Sequence, residues 1–283
     1  MDKPLNLKLQ TSNFKRWLGT TVLLAVLGFG VWSWWFAVSR AREDEAWKRI
    51  RARGVITIAT DASFPPFAAV DENGNLFGFD VDLADELARR LGVRAEFENI
   101  AYDALLSTLV SNRDDAVISA FVPQPGRLKE VIYTHAYFVA GTVAVIRAAS
   151  PPLDADPLKW AAGKKLAVEY GAGGDALARQ WAKRVVGITV LPKQTSVEAM
   201  QAVEDQQADA ALVDLISAYD FLQGNSALRL AGKPLEPEPY VIAMNANSRE
   251  LFTALEKTLG EMEADGTLAE LKVKWFGEAA NGR

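Results

Sequence analysis

Apolar positions along the chain change their spacing several times, and each change predicts an element. Residues 17–38 are a run of 22 positions without a charge, long enough as a helix to cross a hydrocarbon core of about 30 Å. Lys3, Lys8, Lys15 and Arg16 precede this run, and Trp32, Trp34, Trp35 and Phe36 gather at its far end. That pattern predicts a membrane segment with residues 1–16 on the cytoplasmic side, although Arg40 and Arg42 beyond it weaken the charge asymmetry. The rival reading is a cleaved signal peptide, with Ala37 and Ser39 as the small residues of a cleavage site. The apolar run exceeds the roughly 7–15 residues usual for such a peptide, and bulky aromatics crowd the site, so an uncleaved anchor over 17–38 is preferred. Residues 39–53, SRAREDEAWKRIRAR, then read as a charged, helical, solvated linker.

The next stretch predicts a complete strand, loop and helix. Val55, Ile56 and Ile58 form a β-branched run that stops at Asp61, and Pro65 and Pro66 cannot continue a ladder, so Phe64 and Phe67 fall on a loop past the strand end. Leu83, Ala84, Leu87, Ala88 and Leu91 lie at one-face spacing on a helix that starts near Asp80 and stops at Gly92. Residues 94–98 suit a second strand, 102–111 a helix, and 115–121 a nearly all-apolar third strand of the kind buried on both faces.

The βαβαβ series then recurs. Residues 165–169, 188–191 and 209–213 read as strands, with helices at 175–184 and 196–205 between them. Residues 94 and 188, and likewise 115 and 209, are 94 apart by subtraction, a unit large enough for its own core rather than a short solenoid repeat. The segment PLEPEP, residues 234–239, reads as an extended return crossing, followed by a strand at 240–244 and helices from 249–264 and up to about Gly277. The expected fold class is α/β: two Rossmann-like lobes joined by two hinge crossings, near 139–143 and 233–239. Lobe 1 is expected at 54–141 plus 236–277 and lobe 2 at 142–235. Closure about such crossings traps a ligand between lobes.

Composition narrows the function. A formal net charge of −5 with no basic face argues against a nucleic-acid partner, which needs clustered Lys and Arg. Cysteine is absent, so there is no disulfide and no lipid-modified cysteine. The one histidine, His135, has no partners at ligand spacing, and no nucleophile elbow, Walker loop or zinc motif occurs, so no catalytic residue, metal or cofactor is expected.

The strand ends should converge on the cleft. They offer Asp61 with Phe64, Tyr102, Ser119, Ala120 and Val122 leading to Arg127, Glu169 with Gly173, and Asp214. One cation and three carboxylates in a dry cleft suit a zwitterion, because arginine grips a carboxylate with two hydrogen bonds while a carboxylate accepts from an ammonium. Each residue also has a plainer role: Arg127 as a surface arginine, Asp214 as a helix cap, Asp61 as a turn residue, Phe64 and Tyr102 as core-rim aromatics, Glu169 as a solvated strand end.

Taken together, ATDASFPPF, GFDVDLADELARRLG, residues 115–127, GAGGDALA, ADAALVD and EADGTLAELKVKWFG make residues 46–277 resemble the solute-binding proteins of ABC uptake systems for polar amino acids. The resemblance implies that Arg127 binds the ligand α-carboxylate, Asp214 its α-ammonium, Phe64 and Tyr102 sandwich the side chain, Asp61 reads its polar group, and Ser119 and Ala120 help hold the ligand. It implies an ABC permease as partner and a binding domain outside the cytoplasmic membrane, in the periplasm or at the cell exterior. Two departures stand out: Val122 where the family usually has a hydroxyl, and Gly173 where a threonine often donates to the carboxylate. Asp61 and Glu169 add negative charge that favours a cationic side chain. The same fold resembles cyclohexadienyl dehydratases, with Glu169 as the acid, and a ligand-sensing module is a further alternative.

Overall fold

The computed structural model describes residues 45–151, 153 and 156–281. The expected cytoplasmic N-terminus, the anchor at 17–38 and residues 39–44 lie outside the described residues. No helix among the described residues is long and apolar enough to cross a membrane.

Helix α1 (Glu45–Arg53) is helical as expected, but it is no solvated spacer. Ile50 is fully buried, and Arg49 and Arg53 reach the two oxygens of Asp115 at 2.9 and 2.8 Å. The reason is amphipathicity: one apolar face docks while the charges converge on a carboxylate that is itself buried.

Two sheets follow. Strands β1 (Val55–Thr60), β2 (Ala69–Val70) and β3 (Leu76–Phe77) lead into helix α2 (Phe79–Arg90), then β4 (Arg94–Asn99), helix α3 (Leu105–Val110) and β5 (Ala116–Val117). β6 (Val131–Tyr133) and the long β7 (Phe138–Arg147) carry the chain to a short helix α4 (Pro157–Trp160) and β8 (Lys165–Glu169). The second series is α5 (Gly173–Ala182), β9 (Thr189–Lys193), α6 (Ser196–Glu204), β10 (Ala210–Asp214), α7 (Leu215–Leu222) and β11 (Leu228–Leu230). The chain returns through β12 (Glu236–Tyr240) and β13 (Ala243–Asn245) and closes with α8 (Arg249–Ala264) and α9 (Thr267–Phe276).

The first sheet has the order β4-β1-β5-β13-β6, and the second β11-β7-β10-β8-β9 with β12 beside β7. The parallel trios β4-β1-β5 and β9-β8-β10 repeat one arrangement, and the 94-residue offset has a physical counterpart. Asp115 accepts from the Thr57 backbone N–H at 3.0 Å, and Asp209 accepts from that of Lys165 at 2.8 Å, each aspartate pinning the third strand to the first.

Two predicted strands come out differently. The strand expected at 115–121 pairs only over Ala116–Val117, because the next residues turn their backbone groups to buried side chains. Ser119 Oγ accepts from the Asp61 N–H at 2.9 Å, and Ala120, at a φ of 44°, donates its N–H to Asp80 at 2.6 Å and toward the Tyr137 hydroxyl at 3.0 Å. The strand expected at 240–244 is two strands, and PLEPEP is partly β. Pro237 and Pro239 sit two apart, so both missing donors fall on one edge, and β12 pairs only with β7.

β12 and the first half of β7 form an antiparallel ribbon between the sheets, from Phe138↔Tyr240 to Thr142↔Glu236. Gly141 has a φ of 116° there, and a Cβ on it would drive into the Glu236 carbonyl, so only glycine fits. One side of the ribbon rests on an aromatic cluster. Phe67 lies 5.1–5.3 Å from Phe138, Tyr240 and Phe276, and Phe276 reaches Tyr219 of α7 at 6.0 Å.

Candidate functional site

A cavity of about 340 Å³ opens past the C-terminal ends of β1 and β5, where parallel sheets leave space for ligands. Asp61, Phe64, Tyr102, Ser119, Ala120 and Val122 all line it. Asp61 is both turn residue and wall. Its Oδ1 accepts from the Ser63 N–H at 3.0 Å and its Oδ2 from the Tyr102 N–H at 2.9 Å, which holds the carboxylate at the mouth. Phe64 stacks on Phe67 at 5.4 Å with rings 7° apart, and Tyr102 stacks on Phe121 at 5.4 Å. Each aromatic rests one face on a buried ring while staying 46% and 41% exposed, so the other face is free.

Behind the cavity wall lies Asp80, from the GFDVD stretch at the start of α2. Its carboxyl is buried, and burial pushes its pKa up to about 7 against the downward pull of Tyr137 and the Ala120 N–H. Asp80 thus fixes the left-handed Ala120, and through it the segment that lines the site.

Arg127 does not line this cavity. It ends a single 3-10 turn (Pro125–Arg127), and its Nε lies 2.6 Å from Glu130 Oε2, with both side chains partly exposed. The loop VPQPGR explains the placement: two prolines fix a tight turn whose last residue meets its i+3 neighbour first.

Glu169, Gly173 and Asp214 do not line this cavity either; they group at the strand ends of the second sheet. Glu169 ends β8 and accepts from Ser196 Oγ at 2.6 Å, and the same hydroxyl lies 3.4 Å from Asp214 Oδ2. Asp214 ends β10 and caps α7, its Oδ1 accepting from the Ser217 N–H at 2.8 Å. The cap does not consume the second oxygen. Gly173 opens α5, where a Cβ would sit 3.3 Å from Thr142 Oγ1, and Gly174 has no room for a side chain against the Leu212 backbone. Glycines there bare the first N–H groups of a ten-residue helix.

Sequence reasoning missed four residues: Ser196, Thr142, Glu238 and Tyr240. Ser196 had a signal, because it stands 94 residues after Tyr102, the repeat's own offset. Thr142 pairs with Asp214 on one side and Glu236 on the other, so the three form a row across the sheet. Glu238 and Tyr240 line the cavity from the return crossing, where alternation puts them on one face. Burial raises the Tyr240 pKa, with Glu238 nearby adding to the effect. His135 lies elsewhere, with Nδ1 2.9 Å from Glu256 and Nε2 3.3 Å from Glu263, both on α8.

Two α/β lobes crossed twice by the chain, with a ligand-sized cavity at the crossing, define a periplasmic-binding-protein-like fold. Residues 56–278 match the model of the bacterial extracellular solute-binding proteins, family 3, and the chain belongs to that family. The L-cystine-binding protein TcyJ of Escherichia coli K12 is 28% identical over 92% of this chain and 96% of its own length. The lysine/arginine/ornithine-binding periplasmic protein of Escherichia coli K12 is 28% identical over 78% of this chain and 87% of its own. Among solved structures, the L-cystine solute receptor of Neisseria gonorrhoeae in its unliganded open conformation matches with a TM-score of 0.72 at 25% identity, covering 83% of this chain and 98% of the receptor. An ancestral cyclohexadienyl dehydratase matches with a TM-score of 0.67 at 25% identity, covering 81% of this chain and 95% of that one.

Proposed function

We propose that this protein captures a cationic L-amino acid outside the cytoplasmic membrane and presents the closed form to an ABC permease, while its segment 17–38 holds it at that membrane. The lobes are taken as 54–141 with 236–277, and 142–235. The observation that carries the ligand class is the cavity itself. Asp61 and Glu238 face it, Phe64, Tyr102 and Tyr240 frame it, and no basic side chain among the described residues lines it. Acidic groups with open aromatic faces favour a cation. Relatives that bind lysine, arginine and ornithine support this, whereas those that bind L-cystine keep a second zwitterion in view.

The α-ammonium has Asp214 and Glu169 as acceptors on the second lobe. The α-carboxylate goes to Arg127 once that side chain leaves Glu130. The exchange is favourable, because an exposed ion pair contributes only about 0–1 kcal/mol, against about 1.5–3 kcal/mol for a charge-assisted hydrogen bond in a dry site. With Val122 and Gly173 contributing no hydroxyl, Arg127 and the α5 N-terminus carry the carboxylate between them. A ligand that bridges the lobes only when they meet selects the closed state.

Thermal unfolding of the full-length chain in mild detergent against L-arginine, L-lysine, L-ornithine, L-histidine, L-cystine, L-glutamine and L-glutamate tests the reading. A shift largest for a cationic amino acid, and lost in both Arg127→Ala and Asp214→Ala, is expected. A larger shift with glutamate than with arginine refutes the cationic assignment.

A dehydratase is the second reading, favoured by the ancestral cyclohexadienyl dehydratase of like fold; Glu169, beside the Ser196 hydroxyl, would serve as general acid only when protonated. Incubation with prephenate and arogenate, followed by absorbance of the aromatic product, is expected to show no turnover.

A further inference from the structure

We infer that Glu238, on the return crossing itself, receives the cationic end of the ligand side chain, so that charge specificity is written into the hinge ribbon as well as the lobes. The inference rests on the amino-acid reading above and goes beyond it, to a residue outside both βαβαβ units.

Three observations carry it. The first is availability. Both oxygens of Asp61 already accept backbone N–H groups, while the Glu238 carboxylate has no hydrogen bond or ion pair among the described residues. An entering cation therefore finds its uncommitted acceptor at Glu238. The second is placement: the exposed Glu238 stands at the open cavity. Glu238 stands directly opposite the small, buried Ala140, and on the same face of β12 as Tyr240, whose ring belongs to the cavity wall. The cation would sit among Tyr240, Tyr102 and Phe64, where displaced water strengthens its attraction to both carboxylate and rings.

The third is mechanical. β12 and β7 join the two sheets as one paired ribbon, so a ligand bonded to Glu238 touches the element on which the lobes turn. A contact on the crossing is made before closure and kept through it. Arginine, lysine or ornithine thereby gains orientation in the open cleft, side chain toward the ribbon, with its α-groups left for the two lobes to close on. A neutral amide such as glutamine offers Glu238 no counter-charge and would bind more weakly.

Isothermal titration of full-length protein in detergent, wild type against Glu238→Gln, decides the matter with L-arginine, L-lysine and L-glutamine as probes. Glu238→Gln should weaken arginine and lysine ten- to hundredfold and leave glutamine within about twofold, or tighten it, consistent with the loss of one charge-assisted bond. Glu270→Gln, an exposed charge on α9 outside the cavity, should leave all three within about twofold. Matching unfolding temperatures of the ligand-free variants exclude a folding defect.

If wild type binds arginine and Glu238→Gln binds it equally well, the role of Glu238 is overturned while the amino-acid reading stands. Equal weakening of glutamine and arginine in Glu238→Gln would also overturn it, since charge would then not be what Glu238 reads. If wild type binds none of the three, the parent reading and this inference fall together.

Discussion

Replacing Asp80 by asparagine should flatten the dependence of stability on pH between about 4 and 7. Asp80 is 1% exposed, its Oδ2 accepts the Ala120 N–H at 2.6 Å, and its Oδ1 has no partner. Burial raises its pKa from 3.8 to about 7. Between those values the folded chain keeps the proton while the unfolded chain releases it. The folded state then binds more protons, and stability falls as pH rises. A shift of about 3 units corresponds to about 4 kcal/mol, present in full below pH 4 and lost by pH 7. The surface carboxylates Glu86 and Asp265 act with the opposite sign, held down to about 2 by Arg89 and Arg90 in the first case and by Arg90 in the second. Their contribution is lost as pH falls below about 4.5, so it meets the Asp80 window only at its acid end. Asp85 and Asp114 are raised as well, which is why the difference between two proteins is the useful quantity. Urea unfolding of wild type and Asp80→Asn at pH 4, 5, 6, 7 and 8, followed by tryptophan fluorescence, gives that difference. Wild type should lose about 4 kcal/mol relative to the variant across the series. Parallel curves would refute the reasoning, because they would mean that Asp80 ionises alike in both states.

Two further substitutions test the elements that frame the site. Gly141→Ala places a Cβ against the Glu236 carbonyl at a φ of 116°, so it should destabilise the protein by at least about 1–3 kcal/mol in urea and weaken ligand binding by splaying the ribbon. Unchanged stability would mean that the ribbon yields without strain. Asp115→Asn removes the charge that Arg49 and Arg53 share and should cost about 1–3 kcal/mol. Amide exchange across Glu45–Arg53 should quicken markedly, and retained protection there would show that the apolar face around Ile50 suffices to dock α1.

The sequence determined the ladder of elements, because periodicity and breakers are local. The β-branched run before Asp61, the one-face spacing up to Leu91 and the glycine stops suffice to place β1 and α2, and the repeat places their counterparts in the second lobe. It also indicated that Asp61, Phe64, Tyr102, Ser119, Ala120 and Val122 would come together, and they line one cavity, since all follow strand ends on one edge of a sheet. Tertiary structure decided three matters that depend on distant partners. The strand at 115–121 is cut short because Asp80 and Tyr137, remote in sequence, take the Ala120 N–H from the ladder. Arg127 pairs with Glu130 instead of facing the cavity because side-chain direction follows the local turn, which family position does not encode. Glu238 and Tyr240 join the site because β12 pairs with β7, a contact across about a hundred residues that no local pattern announces. Spacing tells which residues share a face; only the packing of one element on another tells what that face meets.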